Sequence, residues 1–313
     1  MRLLIITQKV DKNDPILGFF VRWVQEFAKQ FEQVTVICLE IGEYRLPPNV
    51  KVFSLGKEQS VKHSVFDRFR YVLRFYKYIW QERKNYDAVF VHMNQEYVLL
   101  AGDIWRLMGK KVYLWRNHAQ GSILTRMAVM MSHKVFCTSP HSYTARFKKT
   151  ILMPVGIDTD FFKPDPSVRK IPNSILFLGR IALVKKVLEF IEWAETEDFR
   201  KVTIAGPIDD EEYGERVKLK IENSKLKINY VGPVTQDEAL ELYQSHETYV
   251  NFTPSGSMDK TILEAVACET SVIVKNEDLK ILESKSGKEL RDFVVENHSL
   301  KMLMDKLKSA FNE

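Results

Sequence analysis

The stretch Ile175-Leu176-Phe177-Leu178-Gly179-Arg180-Ile181-Ala182-Leu183-Val184-Lys185-Lys186 decides the fold. Its four leading apolar residues are too few for a helix and read as a strand covered on both faces. A glycine ends the run, and Leu188, Ile191 and Ala194 then recur at helical spacing. A short apolar strand that passes through glycine into a helix is half of a βαβ unit, which implies a parallel sheet.

The same alternation continues in both directions. Downstream, strands are expected at 201–205, 228–231, 248–252 and 271–274. Upstream, Lys163-Pro164-Asp165-Pro166 and Ile171-Pro172-Asn173 read as punctuation between elements. Before that break, strands are expected at 3–7, 34–39, 50–54, 88–92, 111–115 and 134–138. Helices are expected at 18–30, where Phe20, Trp23, Val24 and Phe27 share a face, and at 64–84. The chain therefore reads as α/β, with two Rossmann-like parallel-sheet domains facing across a cleft and hinged near 156–172. The N-terminal domain covers 1–165. The C-terminal domain covers 166–290, and a helix at 291–313 packs back on the first. Open parallel sheets bind ligands at the carboxyl ends of their strands.

Composition narrows the class. At 313 residues the chain can build two cores, and 45% hydrophobic with 28% charged residues is a globular balance. No run reaches the roughly 20 apolar residues of a membrane span. Met1-Arg2-Leu3-Leu4-Ile5-Ile6 enters a strand directly and lacks the features of a secretory leader. Cys38, Cys137 and Cys268 are scattered and odd in number, which argues against a disulfide framework or zinc site and for the cytosol. The net charge of +5 divides unevenly: +11 over residues 1–164 and −6 over 165–313. The basic half suits an anionic membrane or a phosphorylated acceptor. Nucleic acid is excluded for want of any recognition motif.

Three places carry candidate chemistry. Arg180 and Lys185 sit past a strand's carboxyl end beside a helix start, an arrangement that suits an anion. The bland reading is a solvated basic turn. The second is Asn251-Phe252-Thr253-Pro254-Ser255-Gly256-Ser257-Met258-Asp259-Lys260-Thr261-Ile262-Leu263-Glu264-Ala265, a strand, a small-residue loop and a helix. Backbone N–H groups at that helix start favour phosphate, and Glu264, further in, suits a ribose diol. The bland reading is a capping loop with Ser257 or Asp259 as N-cap. The third is Arg116-Asn117-His118, just past the strand at 111–115.

Taken in order, these segments resemble the retaining glycosyltransferases of the B-type fold, glycosyltransferase group 1 (family 4), over nearly the whole chain. Gly179-Arg180 with Lys185 matches the family's Gly-Arg…Lys diphosphate motif. Pro154-Val155-Gly156-Ile157-Asp158-Thr159-Asp160-Phe161-Phe162 matches its interdomain signature. Leu263-Glu264-Ala265-Val266-Ala267-Cys268 with Ser271-Val272-Ile273 matches its most specific segment. The resemblance implies a hexosyltransferase working by front-face displacement without cofactor or metal, the nucleotide-sugar being the donor substrate. Arg180 and Lys185 would neutralise the donor diphosphate, Glu264 would hold the ribose, and His118 would contact the donor sugar. Gly18 would lie in a loop near the diphosphate. Gly179, Gly256, Ser257, Asp259, Lys260 and Thr261 complete the expected donor-binding set. The acceptor would be a glycan or lipid-linked, in polysaccharide biosynthesis, with the enzyme cytoplasmic and peripheral at the inner membrane face.

The sequence departs from the family at two points. Gly256 stands where the family has a first glutamate, eight positions before Glu264, with Asp259 the nearest acid. Cys268-Glu269-Thr270 replaces Cys-Gly-x. Asp158-Thr159-Asp160 has the form of a metal-binding Asp-x-Asp, but its place in the hinge signature argues against that role. In the helix at 64–84, Val65, Phe66, Phe69, Val72, Leu73, Tyr76 and Trp80 form the expected core stripe. Arg70, Arg74 and Lys77 with Tyr71, Phe75 and Tyr78 form the expected outer face, suited to an anionic membrane or simply solvated. The rival readings are a nucleotide-sugar epimerase and a catalytically silent nucleotide-sugar-binding module.

Overall fold

The computed structural model describes residues 1–57, 64–255 and 258–312. They divide into two units, Met1–Met153 with Met304–Glu313, and Pro154–Leu303. The segment 154–165 thus groups with the second unit and not with the first.

The first unit is built on seven parallel strands: β1 (Arg2–Val10), β2 (Gln33–Ile41), β3 (Val50–Ser54), β4 (Ala88–His92), β5 (Lys111–Trp115), β6 (Lys134–Cys137) and β7 (Thr150–Leu152). Their order is β3-β2-β1-β4-β5-β6-β7. Strand residues alternate between faces. Leu4, Ile6, Val89, Val91, Val112 and Leu114 meet the helices Val65–Gln81, Glu96–Leu107 and Ile123–Met131 in one core cluster. Phe90 points the other way, onto Phe27 of helix Phe19–Gln30. Right-handed crossovers require this division, because the chain steps one way from β1 to β2 and the opposite way from β3 through β6.

Helix Val65–Gln81 reverses the expected faces. Phe75 and Ile79 are its buried residues, and Tyr71, Tyr76 and Tyr78 pack half-buried against the sheet side. Val65, Phe66, Phe69, Leu73 and Trp80 are exposed. Arg74 does not face out freely, since its guanidinium donates to the Leu55 carbonyl at 2.7 Å. The helix carries two apolar stripes, and periodicity alone cannot say which one the sheet takes. Tyr76, of the expected core stripe, is half-buried at the boundary and donates its hydroxyl to the Leu100 carbonyl at 2.8 Å. Among the described residues no helix is long and apolar enough to cross a membrane.

The second unit has five parallel strands, β8 (Ile171–Leu178), β9 (Lys201–Ala205), β10 (Ile228–Gly232), β11 (His246–Asn251) and β12 (Ser271–Val274). Their order is β10-β9-β8-β11-β12. Pro172 and Asn173, expected before a strand, lie inside β8. Proline is tolerated there because β9 pairs with β8 only from Ser174 and the register against β11 shifts between Ile171 and Ile175.

Gly206 pins the carboxyl ends of three strands. Its N–H donates to the Gly232 carbonyl at 2.7 Å, and the Gly179 N–H donates to the Ala205 carbonyl at 2.9 Å. With φ at +138°, a Cβ on Gly206 would lie 1.9 Å from the Gly179 carbonyl oxygen. Only glycine combines that backbone conformation with so close an approach. Gly206→Ala should therefore cost at least about 2–3 kcal/mol, read as a lower urea midpoint with unchanged m-value. A midpoint equal to the parent's would show that the loop relaxes around the methyl group.

Candidate functional site

In the second sheet, β8 and β11 are neighbours whose chains leave in opposite directions. The chain goes from β8 through helix Val187–Ala194 to β9, and from β11 through helix Lys260–Ala267 to β12. Such a reversal opens a crevice at the strand carboxyl ends. Gly179, Arg180 and Lys185 follow β8, while Asp259, Lys260 and Thr261 follow β11, so these expected residues lie past the carboxyl ends of the two strands at the reversal. Gly256 and Ser257 lie outside the described residues.

An ion pair between Lys185 and Asp259 closes over the reversal. The Asp259 carboxylate also accepts from Asn251 Nδ2 at 3.1 Å, Thr253 Oγ1 at 3.3 Å and Thr261 Oγ1 at 3.1 Å. Burial by itself would raise the Asp259 pKa; the Lys185 ammonium and the Asn251 and Thr261 bonds outweigh it and hold the carboxyl below its usual range. Beneath the pair, the Tyr249 hydroxyl lies 2.9 Å from the Leu178 carbonyl and 2.7 Å from Thr261 Oγ1. This network gives Asp259 a place the sequence did not reveal: it anchors Lys185 and is itself filled by protein donors.

Arg180 stands on the β9 side, its guanidinium 2.8 Å from Asp209, both side chains well exposed. Lys260 turns inward and donates to the Val155 carbonyl at 2.8 Å and the Gly156 carbonyl at 3.3 Å. Burial lowers its pKa to about 7 against the opposing pull of Glu264. Glu264 is 5% exposed and accepts from the Tyr243 hydroxyl at 3.2 Å. Asp158 Oδ1 accepts from the Asp160 and Phe161 N–H groups, each at 3.2 Å, which makes it the cap of a turn.

The two candidates in the first unit are described separately. His118 is exposed, and its Nδ1 lies 3.0 Å from the Gln120 backbone nitrogen and 3.1 Å from the Gln120 carbonyl oxygen. Gly18 opens helix Phe19–Gln30, where a Cβ would lie 2.6 Å from the Asp14 carbonyl oxygen. The preceding loop is braced by a cluster that sequence reading missed: the Lys9 ammonium is 2.8 Å from Asp14, 3.6 Å from Asp11 and 3.7 Å from Glu40. Its signal was available in Lys9, a charge at a buried position near the end of a strand whose core run is Leu3–Ile6.

Two Rossmann-like units of this kind define the B-type fold of glycosyltransferases. Residues 158–313 match the family model described as glycosyl transferases group 1, and through this region the chain belongs to that family. Similar solved structures include Anabaena HepE in complex with UDP and glucose, with 12% identity over 100% of both chains and a TM-score of 0.75. Sucrose-phosphate synthase from Thermosynechococcus elongatus also scores 0.75, at 12% identity over 100% of this chain and 98% of that one. A Rickettsia africae glycosyltransferase scores 0.69, at 16% identity over 99% and 98%. At these identities the likeness is one of fold. No curated protein matches the sequence.

Breaking a buried ion pair by deleting one partner costs about 3–5 kcal/mol. Lys185→Met and Asp259→Asn should each approach that cost, and the double variant should lose less than their sum. Because the Asp259 pKa is depressed in the fold, its stabilisation is present above about pH 4 and fades as pH falls further. Wild type should therefore lose its advantage over Asp259→Asn in acid. Additive losses in urea titrations would mean the two side chains are not coupled.

Proposed function

We propose that the chain is a retaining, metal-independent glycosyltransferase that moves a sugar from a nucleotide-sugar to a glycan or lipid-linked acceptor. The observation that carries this reading is the meeting of Lys185 with the start of helix Lys260–Ala267 at the β8/β11 reversal, with Arg180 following β8 on the β9 side, inside the family-matched region. The HepE likeness, through the UDP and glucose that structure holds, supports a uridine nucleotide-sugar as the first donor to try.

The chemistry follows from charge. When the glycosidic bond to the donor phosphate breaks, negative charge grows on the departing diphosphate. Positive groups already fixed in place lower the barrier without reorganising. Lys185 is fixed in this way by Asp259, and the three protons of its ammonium leave donors for a phosphate oxygen. Arg180 offers a planar fork, for which a phosphate would compete with the exposed Asp209. These cations supply the field that a divalent ion supplies elsewhere, which is the basis for metal independence. Glu264 is proposed for the ribose diol, with Tyr243 orienting its carboxylate. For His118 and Gly18 the proposal rests on the family resemblance alone.

Arg180→Ala and Lys185→Ala should each lower turnover roughly 100- to 1000-fold, with transfer persisting in excess EDTA. Glu264→Gln should weaken UDP binding less than Glu264→Ala, which should lose on the order of 1.5–3 kcal/mol. Calorimetry with UDP and a transfer assay, with the product anomer read by NMR, provide the measurements. An inverted anomer, or loss of transfer on chelation that manganese restores, would overturn the corresponding part. Tight UDP binding with no transfer to any acceptor would favour the silent binding module.

A further inference from the structure

Lys260 is a cation in a place that disfavours one. It is the first residue of helix Lys260–Ala267, at the end where the helix dipole is positive. Every residue from Ile262 to Ala267 is buried, and Lys260 itself is half-buried. Its ammonium reaches the Val155 and Gly156 carbonyls, two consecutive oxygens brought together where the backbone bends at Gly156, with φ at +77°. The same segment is held on its N–H side, because Gly156 and Ile157 donate to the His298 carbonyl at 3.0 and 2.9 Å. Lys260 thus joins the helix start at the β8/β11 reversal to the segment that opens the second unit.

Nearby charges do not offset the burial. Glu264, one turn on in the same helix, attracts the ammonium, yet burial outweighs that attraction and brings the Lys260 pKa down to about 7. His298 closes helix Lys288–His298, and its own pKa falls to about 4 through burial first and the Lys260 charge second. Arg291, on that same helix, is engaged at the far end of helix Lys260–Ala267, with the Ala267, Phe162 and Thr159 carbonyls. Tyr243 donates to Glu264, and Asp259, just before Lys260 in the chain, is paired with Lys185. In the segment that supplies the carbonyls, Asp158 accepts from its own turn. An anion arriving at this helix start relieves both penalties at once, the dipole's and the burial's.

We propose that Lys260 takes up a proton when a nucleoside diphosphate binds at this helix start, and that the ammonium so formed holds the Val155 and Gly156 carbonyls more firmly. The proton comes from buffer acid and adds to the lone pair of the neutral amine; no bond in protein or ligand breaks. Bonds from an ammonium to the two carbonyls are shorter and stronger than those from a neutral amine. Lys260 is thus a positioning residue, which registers the donor's charge in the segment that opens the unit. The inference rests on the donor site proposed above. It needs no sugar transfer, so UDP alone is the probe.

The test is calorimetric titration of the full chain with UDP in buffers of differing ionisation enthalpy, which counts the protons exchanged on binding. At about pH 7.5 the parent should take up about half a proton more per UDP than K260M or K260Q, the uptake for a one-unit rise from a pKa of about 7. Protons of UDP itself are common to all three proteins and cancel in the comparison. Because the protonated form binds the anion better, the parent's UDP affinity relative to K260M should fall roughly tenfold between about pH 6 and pH 9. Hydrogen exchange at Gly156 and Ile157 should slow on UDP binding more in the parent than in K260M. Urea unfolding checks that the variants are folded and gives a ligand-free control. The folded pKa lies below the ordinary lysine value, so above about pH 7 the unfolded chain binds more protons, and the parent's stability relative to K260M should rise with pH. Equal proton uptake by parent and folded variants, or no net uptake by the parent, overturns the inference and leaves the donor site standing. No UDP binding overturns both. Proton-coupled binding without sugar transfer sustains the inference and takes away the transferase reading.

Discussion

An ammonium and a carboxylate withdrawn from water together are tolerated only when their remaining donors and lone pairs also find partners. Lys185 and Asp259 meet that condition through Asn251, Thr253 and Thr261, and the second unit's crevice is organised around the result. The pair ties the loop after β8 to the loop after β11, the two strands between which the chain reverses. Asp259 also holds the N-cap position of helix Lys260–Ala267, where its carboxylate makes no capping bond and goes to Lys185, Asn251, Thr253 and Thr261. A site cation is thus held in place by the same atoms that hold the fold.

A second set of contacts fastens the segment that opens the unit. Lys260 donates to the Val155 and Gly156 carbonyls, while the Gly156 and Ile157 N–H groups donate to the His298 carbonyl. Burial drives the His298 pKa down to about 4, with the Lys260 ammonium adding to it. The family's hinge signature is therefore held by two residues from the later part of the unit's sequence, Lys260 and His298. Within that signature the Asp158 carboxylate caps its own turn.

What was legible in the sequence was local. The run Ile175–Leu178, its glycine and the spaced residues after it specify strand, turn and helix within about a dozen positions, and the structure has them there. Glu264 could be placed one turn into a helix for the same reason. What was illegible depended on distant partners. Asp259 takes its meaning from Lys185, 74 residues away, and Glu264 takes its orientation from Tyr243, 21 residues away. Gly206 looks like any turn glycine until the Gly179 carbonyl is seen where its side chain would be. Helix Val65–Gln81 has two apolar stripes, and only the rest of the sheet decides between them. The family resemblance recovered the order of the motifs, but not which acidic residue is occupied by its own protein.

The last residues of the chain have a consequence for how the protein is made. Phe311 is 1% exposed and stacks on Tyr113 at 4.4 Å, while the Lys134 ammonium donates to the Ala310 carbonyl at 2.9 Å. The first unit's aromatic core is thus completed by residues that follow the entire second unit in sequence. On the ribosome, the N-terminal sheet emerges early but waits for its final ring until the whole second unit has been translated. The second unit meets no such delay, so the order of synthesis and the order of completion run opposite ways.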